Sequence, residues 1–180
     1  MDRALAYSKW AYRALPVFSI RFSDVSFLLA YLPSLGIAAP LDVDYLNPTS
    51  TASGVFGGDV TALKLNVDFA DASVLVGTLG LPFGNIILVN FSTLPNLNGL
   101  TVRQFLGDAA ICLGGSTCID SLTDIDTTTF NLSASFVGGE VSDFAQAHLV
   151  APTSAVPEPS TLVLVGSGLA GLVAGFRRRR

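Results

Sequence analysis

Sixteen consecutive residues without a charge, Thr161 to Phe176, run directly into Arg177, Arg178, Arg179 and Arg180. No other feature limits the possible folds of this chain as much. As a helix the stretch spans about 24 Å, slightly short of a hydrocarbon core of ~30 Å. Ser160 and the snorkelling arginines extend its reach, so a transmembrane helix over about 160–176 is expected. The run has no polar face, which argues against a helix at the edge of a soluble core. The arginines mark the cytoplasmic side, and the preceding domain is expected outside.

Just before this run stands Val156-Pro157-Glu158-Pro159-Ser160. Two prolines exclude helix there and predict an extended, accessible piece of chain. The order Val-Pro-Glu-Pro-Ser-Thr, apolar helix, arginine cluster resembles the PEP-CTERM sorting signal of exported bacterial proteins. The same kind of tail is also labelled an ice-binding protein C-terminal domain, a label that brings no ice-binding chemistry with it. The resemblance covers residues 156–180 and implies handling by exosortase, a membrane enzyme acting near the Pro-Glu-Pro. It further implies a Gram-negative bacterium that makes extracellular polysaccharide or biofilm.

Gly166, Gly168 and Gly171 match the dinucleotide pattern G-x-G-x-x-G letter for letter. That fingerprint needs a preceding strand and an acidic residue about 20 positions later, and here arginines follow instead. Small residues at this spacing suit close helix approach in a membrane, with Gly171 and Gly175 in G-x-x-x-G register.

The charges divide the rest of the chain. Four of the ten basic residues lie within the first 21 positions and four are the final arginines. Residues 40–155 hold two basic and eleven acidic side chains, a net charge of −9. Such a balance excludes a basic nucleic-acid binder. With 13% charged and 50% hydrophobic residues, the chain is also no disordered polyelectrolyte. Val25 to Ala39 is an apolar stretch ending in small residues behind a positive leader, which resembles a secretory signal peptide cleaved after Ala38 or Ala39. Three parts are therefore expected: a signal-like leader (1–39), an exported domain (40–155) and a sorting tail (156–180) whose basic end is 177–180.

Within the domain, Leu63 to Phe69 alternates apolar and polar residues, the period of a strand with one wet face. Phe130 to Phe136 alternates too. Leu41–Leu46, Ser73–Leu79, Asn85–Phe91 and Val141–Val150 are further expected strands, with a turn at Gly138-Gly139. Leu100–Cys112 reads as a short helix capped by Thr101. The fold expected is mainly β, an antiparallel β-sandwich-like domain with one short helix. A mixed α+β domain is the alternative if that helix packs on the sheet.

Cys112 and Cys118 enclose a glycine turn, and in an oxidising compartment the pair predicts a local disulfide. Zinc would need further ligands, and the chain has one histidine, His148, read as a strand residue. Asp120, Asp124 and Asp126 form a weak calcium candidate, lacking the glycine and distal glutamate of an EF-hand. Asp42 and Asp44 share an alternating acidic pattern. Asn90-Phe-Ser92 and Asn131-Leu-Ser133 match the N-glycosylation pattern, a weak sign in a bacterial chain. Signatures of hydrolases, metalloproteases and P-loop enzymes are absent, so neither catalytic residues nor cofactors are expected. The reading is a non-enzymatic surface or matrix protein, structural or associated with exopolysaccharide and biofilm. Its expected partners are an exosortase-type enzyme, the membrane and possible extracellular polysaccharide, with no nucleic acid. A surface glycan hydrolase and a calcium- or ligand-binding module are the alternatives.

Overall fold

A computed structural model describes residues 16–74 and 81–152. In chain order its elements are β1 (Ile20–Arg21), α1 (Val25–Tyr31), β2 (Tyr45–Leu46), α2 (Gly54–Asp71), β3 (Ile87–Leu88), α3 (Val102–Leu113), α4 (Leu122–Ser133), α5 (Asp143–His148) and β4 (Leu149–Val150). Single 3₁₀ turns stand at Phe83–Asn85, Pro95–Leu97 and Val137–Gly139.

The expected antiparallel sandwich is corrected by this architecture. About 49% of the described residues are helical and only 7% are strand. Helix α2 shows why the period misled. Leu63, Leu65, Val67 and Phe69 alternate, but Leu63 and Val67 also stand four apart, the spacing of one helix face. That face continues upstream through Phe56 and Val60 and downstream to Ala70, all buried, whereas Phe69 is 44% exposed. Lys64 and Asp68 form an ion pair at 2.8 Å on an exposed flank of the helix, again at helical spacing.

The second alternating segment fares the same way. Residues 130–133 close α4, whose Ser121 cap accepts from the Asp124 amide. Within this hydroxyl-rich helix Thr129 and Ser133 find partners in carbonyls one turn back, Ile125 at 2.7 Å and Thr129 at 3.0 Å. Ile125, Thr128, Thr129 and Leu132 turn inward.

The remaining strands are shorter than expected. Tyr45–Leu46 is what remains of 41–46, Ile87–Leu88 of 85–91, and Leu149–Val150 of 141–150. β3 and β4 pair antiparallel; β1 and β2 pair parallel. The 73–79 segment lies mostly outside the described residues. Helix α3 matches expectation, with Thr101 and Gln104 forming a reciprocal capping box.

Helices α2, α3 and α4 pack around a core that includes Phe56, Leu63, Phe105 and Ile125, all fully buried. Residues 16–39, expected as the end of a leader, lie across this core as a strap. The Val17 and Phe18 amides both donate to the Gly114 carbonyl at 3.0 Å, and the Leu41 amide donates to Leu113 at 2.7 Å. The Ser19 hydroxyl donates to Asp44, and Tyr31 is 1% exposed. Gly54 opens α2 at φ +55°, and a Cβ there would strike the Ile37 carbonyl of the strap. Among the described residues no helix is long and apolar enough to cross a membrane. The expected span over 160–176 lies outside them.

Candidate functional site

The sorting residues Val156, Pro157, Glu158, Pro159 and Ser160 and the cluster Arg177–Arg180 all lie outside the described residues. Within them, the most unusual chemistry sits between α2 and α4. Asp59 is on the flank of the buried face of α2, three residues past Phe56 and four before Leu63. Asp126 follows buried Ile125 on α4. The two half-buried carboxyl groups hydrogen-bond to each other. Burial first, then the Asp126 charge, pushes the Asp59 carboxyl up to about 6. Burial raises Asp126 as well, although the Asp59 hydrogen bond opposes that rise.

Below about pH 6 Asp59 therefore holds the shared proton and donates it to Asp126. One oxygen of Asp126, Oδ1, is buried without a hydrogen-bond partner. No described cation pairs with the two acids. Lys64 is held by Asp68, Arg103 by Asp71 at 2.7 Å, and Arg21 lies near Asp44. Sequence reasoning left Asp59 unassigned, since the Gly57-Gly58 pair before it has low helix propensity. Placing 54–71 on a helix exposes the signal, an acid on the flank of a buried stripe.

The acids expected to gather around calcium point to different partners. Asp120 faces the Asn96 amide at 3.5 Å, Asp124 accepts from the Ser121 hydroxyl, and Asp126 pairs with Asp59. Among the described residues no three acidic, histidine or cysteine groups come together in a way that could hold a metal. Asp42 accepts from the Tyr45 hydroxyl at 2.8 Å, while the Ser19 hydroxyl and amide hold the Asp44 carboxyl below its ordinary value.

His148 ends α5 rather than lying in a strand. Its Nδ1 meets the Val89 carbonyl at 3.0 Å, and its ring packs against Phe91 and Phe144. Cys112 and Cys118 stand at disulfide distance, their Cα atoms 4.5 Å apart. The pair ties the end of α3 to the following turn, beside the Gly114 carbonyl that holds the strap.

A groove of about 390 Å³ runs between the strap and the α2–α3 pair. Phe18, Ile20, Phe22, Leu28 and Leu65 line it, and Asp68 supplies its one carboxylate. The Asp59–Asp126 pair is not part of its wall.

Among known families, residues 155–180 match the model of the PEP-CTERM protein-sorting motif. No curated protein and no solved structure matches the chain. The chain thus carries at residues 155–180 a PEP-CTERM sorting motif, the mark of an exported protein sorted by exosortase, a membrane enzyme.

Proposed function

We propose that this is a non-enzymatic component of the cell surface or extracellular matrix of a Gram-negative bacterium, associated with exopolysaccharide. The sorting motif behind a folded domain carries the reading. The tail holds the domain at the membrane with its basic end in the cytoplasm, and exosortase then processes the chain near Pro157-Glu158-Pro159. Two observations support a non-catalytic role. The groove carries one carboxylate, already tied to Lys64, and the acids that do pair touch each other. Glycoside cleavage instead places two carboxyls about 5–9.5 Å apart across a cleft.

With −9 net charge over residues 40–155, contact with an anionic polymer depends on bridging cations, whereas a neutral polymer meets no such barrier. Sorting is tested by Glu158→Ala in an exosortase-bearing host. The variant should accumulate with its tail attached, and unchanged processing would refute recognition through that side chain. Polymer association is tested by co-sedimentation of the mature protein with isolated exopolysaccharide, with and without calcium. A protein left in the supernatant under both conditions is no polymer-associated component.

A further inference from the structure

The strap carries an apolar surface that the fold leaves uncovered. Between Asp24 and Asp42 there is no charged residue. Within that interval Val25, Phe27, Leu29, Leu35 and Ile37 all stand exposed, Leu35 at 81% and Ile37 at 89%. The strap is not a loose end, because it is bonded to Gly114, Ser53 and Leu113 and buries Tyr31. Large apolar side chains concentrated on a fixed, charge-free segment mark an interaction surface.

We propose that residues 25–37 form a membrane-docking face, which lays the domain against the bilayer that holds the sorting tail. The inference rests on the tail being membrane-inserted, as proposed above. The length of chain between domain and tail favours this occupant. Pro152 is the last described residue and the apolar run begins at Thr161. Even fully extended, that connection spans only about 30 Å. A domain of this size has a radius of gyration of about 14 Å, so every face is within reach of the lipid. A tether this short also keeps the local concentration of bilayer surface high.

Charge selects the face. The eleven acids of residues 40–155 oppose approach to anionic headgroups, whereas the strap from Val25 to Leu41 adds no repulsion. Its chemistry also suits the interface. Asp24 caps α1 by accepting from the Ser26 amide, which helps satisfy the helix start. Val25 and Leu29, one turn apart, then offer aliphatic groups from the same face of the helix.

The test uses the full chain reconstituted in vesicles of phosphatidylethanolamine and phosphatidylglycerol. Leu29→Cys, Ile37→Cys and, as a control on α4, Phe130→Cys are each labelled with an environment-sensitive fluorophore. All three positions are exposed, and unchanged thermal melts confirm that each variant folds. The proposal expects a blue shift and a loss of emission to nitroxide-bearing lipids at positions 29 and 37 but not at 130. Equal responses at all three positions overturn it. A blue shift without lipid quenching places a second copy or another protein on the face and also overturns it. Carbonate extraction of the same vesicles reads the tail independently. Release of the chain refutes the inserted tail, while resistance without quenching at 29 and 37 refutes only the docking face.

Discussion

Replacing Asp59 with asparagine should stabilise the domain at neutral pH and do little in acid. Its carboxyl is raised from 3.8 to about 6, chiefly by burial and then by the Asp126 charge. Between those values the folded chain binds more proton than the unfolded one, so stability falls as pH rises through that window. Below about 3.8 both states hold the proton and the contribution is fully present; above about 6 it has been lost. Undiscounted, the difference corresponds to roughly 3 kcal/mol. Because the group is only half-buried, solvent screening reduces this to about 1–1.5 kcal/mol. Asparagine keeps a donor for Asp126 and brings no second charge. Thermal melts of the full chain in non-ionic detergent should therefore place Asp59→Asn about 3–5 °C above the parent at pH 7.5 and level with it at pH 4. Comparing variant with parent at each pH cancels the other acids, including Asp24 and Asp44, whose lowered values act in the opposite direction. A gain of the same size at both pH values, or a loss at pH 7.5, would refute the shared proton. Asp126→Asn should behave similarly, and the double variant should gain less than the sum of the two.

Three further outcomes follow from the strap and the disulfide. Gly54→Ala sets a methyl group against the Ile37 carbonyl at a positive φ and should cost about 2–3 kcal/mol in urea unfolding. An unchanged midpoint would mean that the strap does not pack there. Paired Cys112→Ser and Cys118→Ser substitutions should lower stability by about 2 kcal/mol. The parent treated with reductant should match the paired variant, and a parent indifferent to reductant would contradict the bond. Finally, trypsin digestion of mature protein from its native envelope should yield the uncut Phe22–Lys64 peptide. A peptide beginning at Ala39 or Pro40 would show that the strap is removed on export.

The tail was legible because its signal is local: hydropathy, two prolines and four arginines need no partner to be read. The α3 cap was legible for the same reason, since Thr101 and Gln104 act on their own turn. The rest of the fold depends on contacts that a short window cannot see. Leu63 and Val67 satisfy both a period of two and a helical one, and only Phe56 and Val60, across two glycines, decide between them. The β-branched run Thr127-Thr128-Thr129 favours a strand by propensity, yet burial against α2 overrides that weak preference. Val25–Ala39 has the composition of a secretory core because it is apolar on its outer side as well as where Tyr31 turns inward. Asp59 stayed hidden because its significance lies in Asp126, 67 positions away.

The pairing of β4 with β3 has a mechanical consequence. The last described element before the tail is Leu149–Val150, and its partner Leu88 is fully buried. Tension from the C-terminal side therefore enters the strand next to the hydrophobic centre, and two described residues follow Val150. The His148 contact to Val89 and the Phe91–Phe144 edge contact brace that point of entry. Seven residues lead from Val150 to Pro157, so a chain end generated by the proposed processing there would lie at most ~25 Å from β4. Anything joined to that end would stay within that distance of the domain's hydrophobic centre.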